Sequence, residues 1–186
     1  LTEKKTQSIS KKNNAIFASR ISKEKGILTL VKAFTNIDIN LDVLGDGPLL
    51  NKVKKNNINN IKFHGNLTRD EVNRFIYRSK FLVFPSEWYE SFPMTILEAF
   101  RERTLVLASN IGSIKNIIKD RFNGILFEAG NKSDLIDKVK WILDNPKECD
   151  QIALNAYNEF KNKYSSEVNY RQLLDIYNEV LLEKKN

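Results

Sequence analysis

Short apolar stretches alternate with amphipathic stretches about six times between residues 14 and 135, and this alternation constrains the fold more than any other feature. Stretches such as "NAIFASR" and "KFLVFPS" are apolar at successive positions, as in strands that are buried on both faces. Stretches such as "GILTLVKAFTNI" place their apolar residues at helical spacing. The sequence therefore predicts an α/β fold: a Rossmann-like, doubly wound parallel sheet of about six strands, with further C-terminal helices after residue 132.

The length of 186 residues is that of one ordinary domain. We expect this domain to span residues 14–186 and the polar, basic residues 1–13 to form a linker or tail. No apolar run approaches the roughly 20 residues that cross a bilayer. The single cysteine, Cys149, allows no internal disulfide and fits a reducing compartment, so we expect a cytoplasmic protein.

The net charge of +7 leaves three kinds of partner open: nucleic acid, a membrane surface and anionic ligands. The basic residues are spread along the chain, and no zinc-finger, RNP or helix-turn-helix signature is present. Abundant Lys and Asn with few Gly and Pro are also typical of an AT-rich genome. We therefore expect no nucleic acid partner, and a nucleic-acid-binding domain stays as the weakest interpretation.

The stretch "ESFPMTILE" is the strongest candidate for a ligand site, because ligands of doubly wound sheets bind at the carboxyl ends of the strands. Glu90 follows the strand "KFLVFPS", and Glu98 lies about one turn into the next helix. Pro93 suits the first helical position, which would leave helix N-terminal N–H groups for a phosphate. The Glu98 carboxylate can accept two hydrogen bonds, which suits the hydroxyls of a ribose.

This stretch resembles the E-x7-E signature of retaining GT-B glycosyltransferases of the GT4 family, glycosyl transferases group 1. Five further stretches resemble other motifs of that family in the same order along the chain. They are "ASRISKEKG", "LDVLGDGP", "IKFHGNLTRDE", "ASNIGSIKNII" and "NGILFEAGNKSDL". The resemblance runs from residue 14 to residue 135 and continues more weakly in the C-terminal helices.

The resemblance implies a catalytic set of Arg20, Lys25 and Glu90. The two cations would hold the diphosphate of a UDP- or GDP-sugar, and Glu90 would bind hydroxyls of the transferred sugar. The donor-binding residues that it implies are Asp46, Gly47, Leu67 and Glu98, and the predicted helix start adds the N–H groups of Phe92, Met94 and Thr95. Among them, Glu98 would bind the ribose, and main-chain groups near Leu67 would read the base. No metal site and no cofactor are expected, and the family has no agreed protein nucleophile.

The resemblance also implies that the 186 residues of this chain form only the donor-binding domain of a longer enzyme. The expected partners are the nucleoside-diphosphate sugar, an N-terminal acceptor domain, and an acceptor at a membrane surface or on a lipid carrier. A peripheral place at the inner membrane face would follow. The enzyme would serve polysaccharide or glycolipid synthesis, and the chain alone would be inactive in transfer.

Four positions depart from the family pattern. Arg103 stands where a Gly is usual and Leu105 where a Pro is usual. We therefore expect the helix that contains Glu98 to end differently from the corresponding helix of the family. Asn116 replaces a usual Glu. Pro93 replaces a common Gly and removes one N–H donor.

Other interpretations of the same residues stay open. The whole domain could be a non-catalytic nucleotide- or glycan-binding module on the same fold. Trp88 and Tyr89 fit equally the wall of a sugar site and a contact with another domain. His64 is expected to pack rather than act as an acid or base, and Cys149 is expected to be inert.

Overall fold

The computed structural model describes residues 14–55 and 58–183, so the predicted linker of residues 1–13 lies outside the described residues. The strands are β1 (Asn14–Ala18), β2 (Asn40–Leu44), β3 (Ile61–Gly65), β4 (Phe81–Phe84), β5 (Leu105–Ser109) and β6 (Ile125–Phe127). The helices between them are α1 (Ile27–Phe34), α2 (Leu50–Lys54), α3 (Arg69–Arg78), α4 (Met94–Arg101) and α5 (Ile114–Ile117). The C-terminal helices are α6 (Lys132–Asp144), α7 (Pro146–Glu159), a π-helical segment (Phe160–Tyr164) and α8 (Ser166–Glu183).

All six strands of the described sheet are parallel, in the order β3-β2-β1-β4-β5-β6. This arrangement confirms the predicted doubly wound sheet. Alternate side chains of each strand enter two separate apolar layers, because successive residues of a strand point to opposite faces. Phe17 of β1 packs in the layer with residues of α1 and α6, whereas Ile16 packs in the layer with residues of α4. Burying one such side chain contributes about 1.5–3 kcal/mol.

Helix α3 begins at a capping box, which the sequence predicts because Thr68 is followed three residues later by Glu71. The Thr68 hydroxyl accepts a hydrogen bond from the Glu71 N–H at 3.4 Å, and the Glu71 carboxylate accepts one from the Thr68 N–H at 2.8 Å. This reciprocal pair satisfies two N–H groups that a helix start would otherwise leave unbonded. The start of the helix therefore follows from four neighbouring residues.

Helix α4 ends with a residue in the left-handed conformation, a position that glycine usually occupies and that Arg103 occupies here. Arg103 has a φ of 53° in the left-handed region. Its N–H donates to the Phe100 carbonyl, and the Thr104 N–H donates to the Ala99 carbonyl, at 3.0 and 2.8 Å. These two bonds form a Schellman motif, so the departure from the family pattern at Arg103 leaves this type of helix end in place.

Helix α8 lies outside the packed layers, and residues 169–181 are all exposed. Its exposed large apolar residues are Tyr170, Leu173, Leu174, Ile176, Tyr177, Val180 and Leu181. None of the helices in the described part of the chain combines the length and apolarity that a bilayer crossing requires.

Candidate functional site

Backbone hydrogen bonds join the turns at the carboxyl edge of the sheet. The Ile21 N–H donates to the Asp46 carbonyl at 2.9 Å, which links the turns after β1 and β2. The Glu87 N–H donates to the Glu24 carbonyl at 2.8 Å, which links the turns after β1 and β4. The turns of three strands are therefore held together as one surface.

The turns after β1 and β4 meet where the strand order reverses. From β1 the chain proceeds to β2 on one side, and from β4 it proceeds to β5 on the other. Such a switch point is where doubly wound sheets bind ligands. Ser19, Lys25, Pro85 and Ser86 are among the residues around the narrow crevice between the ends of β1 and β4.

Lys25 and Glu90 form an ion pair across this switch point. The Lys25 Nζ lies 2.6 Å from Glu90 Oε1, and the Ser86 hydroxyl lies 2.7 Å from the same oxygen. The side chains of Lys25 and Glu90 are only 24% and 16% exposed. The Ser113 hydroxyl, from the turn after β5, donates to the Glu90 backbone carbonyl. Glu90 is thus held by groups from three turns, and two donors converge on one of its carboxylate oxygens.

Glu98 is the fifth of the eight residues of α4 and pairs with a different cation. Its Oε1 lies 3.1 Å from Nη2 and 3.2 Å from Nε of Arg69, the first residue of α3. The Glu98 side chain is 13% exposed, whereas that of Arg69 is 68% exposed. Both line a cavity of about 490 Å³ together with Phe92 and Met94. Glu98, the residue expected to bind the ribose, therefore borders a cavity of a size that can hold a small molecule.

The prediction that Pro93 occupies the first helical position is wrong. Pro93 is the N-cap of α4, and the helix begins at Met94. The Ile96 N–H already donates to the Pro93 carbonyl at 3.0 Å, which closes a tight first turn. Among described residues, the N–H groups of Met94 and Thr95 have no backbone acceptor. These two N–H groups are therefore available to a ligand, and Phe92 lies before the helix.

The other residues that we expect to bind the nucleotide sugar lie in the turns after β1, β2 and β3. Arg20 is exposed, and its side chain forms no hydrogen bond or ion pair with a described residue. Asp46 Oδ1 accepts a hydrogen bond from the Gly47 N–H at 2.6 Å. A Cβ on Gly47 would lie 2.4 Å from the Ile21 carbonyl oxygen, so this close approach requires glycine. Leu67 is half-buried just after β3.

His64 lies away from the two motif glutamates. Its Nε2 is 2.7 Å from Asp42 Oδ1, and its ring meets the Phe75 ring edge-on with 4.7 Å between centroids. The cavity of about 450 Å³ beside it contains neither Glu90 nor Glu98. A packed, hydrogen-bonded ring agrees with the structural role expected for this histidine.

Three further residues considered in the sequence analysis, Trp88, Tyr89 and Cys149, differ in their exposure to solvent. Trp88 and Tyr89 are 67% and 75% exposed beside the site, so both of their interpretations stay open. Burial raises the pKa of the Cys149 thiol to about 11, which keeps it protonated at neutral pH. In the described ranges, no cluster of His, Cys, Asp and Glu could hold a metal ion.

Sequence reasoning missed two residues that contact the motif glutamates. Ser86 is the last residue of the stretch "KFLVFPS", so its place at a strand end was the available signal. Arg69 directly follows the helix cap Thr68, which points it toward the same edge of the sheet. In both cases the partner is known only once the strand order is known.

The sequence profile of glycosyl transferases group 1 matches residues 2–159. An uncharacterized glycosyltransferase of Methanocaldococcus jannaschii is 31% identical over 172 residues, which are 90% of this chain and 48% of that protein. The lipopolysaccharide 1,2-N-acetylglucosaminetransferase of Salmonella typhimurium is 29% identical over 170 residues, 82% of this chain and 44% of that protein. The chain thus spans about half the length of the curated relatives it matches.

Solved structures share the fold. HepE of Anabaena, in complex with UDP and glucose, superposes with a TM-score of 0.82 at 19% identity over 90% of this chain and 49% of that chain. The C-terminal domain of a glycosyl transferase group 1 family protein from Francisella tularensis gives a TM-score of 0.71 at 26% identity. That match covers 82% of this chain and 87% of the other.

Proposed function

Because this chain belongs to the glycosyl transferases group 1 family, we propose that it is the donor-binding domain of a retaining glycosyltransferase. The enzyme would move a sugar from a UDP- or GDP-sugar to an acceptor hydroxyl with the anomeric configuration kept. The lipopolysaccharide enzyme of Salmonella among its relatives supports a role in polysaccharide or glycolipid synthesis. The acceptor domain would lie in the part of the relatives that this chain does not cover.

The Lys25–Glu90 ion pair at the switch point is the observation that carries this proposal. Even a partly buried ion pair is costly to place in a protein unless further contacts satisfy it. Here a cation suited to a diphosphate lies next to an acceptor suited to sugar hydroxyls. A nucleoside-diphosphate sugar needs both groups side by side, because its phosphate is bonded to the sugar.

The phosphate end of the donor would be met by positive groups from two turns. Arg20 is exposed and unpaired among described residues, and the N–H groups of Met94 and Thr95 point from a helix start. Arginine and helix N-termini are both effective partners for phosphate oxygens. These groups and Lys25 would stabilise the negative charge that develops on the leaving diphosphate, and such electrostatic stabilisation is usually the largest catalytic effect.

The nucleoside end would lie between α3 and α4. Glu98 Oε2 has no hydrogen bond to a described residue, so it can accept from the ribose hydroxyls. Arg69 holds the other oxygen in place. Main-chain groups near Leu67 would contact the base from the turn after β3. UDP bound to HepE, whose structure has the same fold, supports this class of ligand.

A first experiment tests binding. Calorimetry of the 186-residue chain with UDP, GDP and their sugar derivatives should give saturable binding of one nucleotide series. Glu98→Gln should weaken it, and the matched control Glu102→Gln should not, since Glu102 lies at the far end of α4 and pairs with Arg101. Absence of binding to every nucleotide, or equal losses in both variants, would contradict the proposal.

A second experiment separates the enzyme from a non-catalytic binding module. The protein extended by an acceptor domain should transfer the sugar with retained configuration, whereas a module would only bind the donor. The 186-residue chain alone should release nucleotide only very slowly, because bringing both reactants together supplies roughly 7–11 kcal/mol of barrier reduction. Multiple-turnover transfer by this chain alone, followed by mass spectrometry, would show that it contains its own acceptor site.

A further inference from the structure

Ser86 is a buried hydroxyl directly behind Glu90. It is 1% exposed, and its Oγ lies 2.7 Å from Glu90 Oε1, 3.1 Å from the Glu24 carbonyl and 3.3 Å from the Trp88 carbonyl. A serine has one proton for these three acceptors. The carboxylate is the charged acceptor and the shortest contact, so it takes the proton.

Both protein donors to the Glu90 carboxylate therefore meet the same oxygen. Lys25 and Ser86 converge on Oε1, and Oε2 has no hydrogen bond to a described residue. A carboxylate held in this way can turn only one oxygen outward. The second oxygen keeps its lone pairs for donors that come from outside the protein.

We propose that Ser86 is a positioning residue that fixes the Glu90 carboxylate, so that Oε2 faces the sugar of the donor. The inference rests on the proposed function, because it assumes that Glu90 meets the sugar. Ser86 is too deeply buried to touch the donor, so it acts through Glu90 alone.

Lys25 cannot do this alone, because the proposed function gives its ammonium group a second anion. A lysine side chain is a flexible stem with a compact charge, and a bound diphosphate competes with Glu90 for it. The Ser86 hydroxyl is buried, so a bound diphosphate cannot compete with Glu90 for its proton. The serine therefore matters most when the donor is bound.

The turns themselves do not depend on this hydroxyl. The Glu87 N–H to Glu24 carbonyl bond and the Ser113 hydroxyl to Glu90 carbonyl bond use other groups. Removing the Ser86 hydroxyl should therefore release the carboxylate while the backbone around it stays in place.

The test compares Ser86→Ala with Ser109→Ala. Ser109 is also a fully buried serine at a strand end, the last residue of β5, but its hydroxyl has no partner among described residues. The measured quantity is the ratio of affinities for the nucleoside-diphosphate sugar and for the nucleoside diphosphate. A partly unfolded fraction lowers both affinities equally and cancels in this ratio.

We expect Ser86→Ala to lower the ratio about 5- to 10-fold, as for the loss of one hydrogen bond, with nucleotide affinity unchanged. Ser109→Ala should change neither affinity. If Ser86→Ala does not fold, Ser86→Cys keeps the volume with a much weaker donor and should lower the ratio in the same direction.

The possible results distinguish a failure of this inference from a failure of the proposed function. A wild-type chain that binds no nucleotide overturns both. A wild-type chain that binds the sugar nucleotide no more tightly than the nucleotide overturns the inference, since no sugar contact exists to be positioned. An unchanged ratio in the Ser86 variant, with a clear sugar preference in the wild type, overturns the role of Ser86 and leaves the proposed function standing.

Discussion

Glu90 at the sheet edge and Glu159 in the helical layer are two shielded carboxylates that the protein uses differently. Their side chains are 16% and 10% exposed, and each lies within 2.6 Å of a lysine ammonium group. At Glu90 the donors Lys25 and Ser86 share one oxygen, and the other oxygen has no bond to a described residue.

Glu159 has both oxygens bonded. Its Oε1 accepts from Lys163 at 2.5 Å and lies 3.5 Å from the Lys119 ammonium, and its Oε2 accepts from the buried amide of Asn123. Asn123 also donates to the Ile117 carbonyl at 2.9 Å, so the cluster ties α7 to the segment that leads into β6.

The difference teaches how to tell a structural carboxylate from a binding one. A shielded carboxylate with both oxygens bonded has less capacity left for a ligand, and its charge is compensated in the fold. A shielded carboxylate with one unbonded oxygen keeps that capacity. Glu98 resembles Glu90 in this respect, since Arg69 contacts only its Oε1.

The largest effect on stability should come from Glu159→Ala. The change leaves one N–H of the fully buried Asn123 amide without an acceptor, so we expect a loss of about 2–3 kcal/mol in the free energy of unfolding. Glu90→Ala should cost less than half as much, because the Ser86 hydroxyl can turn to the Glu24 or Trp88 carbonyl. Urea denaturation measures both, and equal losses would remove the distinction drawn between the two carboxylates.

The next effect is on binding. Glu98→Ala should weaken nucleoside-diphosphate binding by about 1–3 kcal/mol, the range for hydrogen bonds made by a charged group. Glu90→Ala should leave the affinity for the bare nucleotide nearly unchanged and remove the gain that the sugar adds. Calorimetry with UDP or GDP and the matching sugar nucleotide checks this, and equal nucleotide losses in both variants would contradict the division between ribose and sugar.

A smaller effect should follow pH at Glu159. Burial raises the pKa of this carboxyl, but hydrogen bonds from Lys163 and Asn123 outweigh burial and hold the pKa below its usual value of 4.5. Such a group stabilises the fold fully above its unfolded-state pKa, and the contribution is lost as the pH falls through the folded-state pKa. Between about pH 6 and about pH 3, wild type should therefore lose more stability than Glu159→Gln. Parallel losses of unfolding free energy would show that Glu159 does not titrate in this way.

The smallest effect should come from Arg103→Gly, at the far end of the helix that carries Glu98. Glycine relieves the left-handed backbone of this residue, but it loses more entropy on folding and removes the interactions of the arginine, so we expect a change of no more than about 0.5 kcal/mol in the free energy of unfolding. Nucleotide affinity should not change. A change in urea denaturation as large as that of Glu159→Ala would contradict this expectation.

Local patterns in the sequence were enough for the elements of the fold. The apolar stretches predicted the six strands, and Thr68 with Glu71 predicted the start of α3, because both signals lie within a few neighbouring residues. The place of Pro93 was predicted wrongly. Proline suits several positions near a helix start, and the tight turn from its carbonyl to the Ile96 N–H decides between them.

The partners of the site residues depended on contacts between distant parts of the chain. Lys25 and Glu90 are 65 positions apart, and Arg69 and Glu98 are 29 apart. No spacing rule in one sequence says which cation meets which carboxylate. The π-helical segment of residues 160–164 likewise had no signal in the apolar pattern.

The sequence by itself determined the alternation of strands and helices and the two glutamates at the carboxyl edge, because residue order sets both. Only the tertiary structure decided that β1 lies beside β4 and that Ser86 and Lys25 share Oε1 of Glu90. The physical reason is that hydrogen bonds depend on the position and direction of single atoms. Those positions are fixed only when turns from separate strands are packed together.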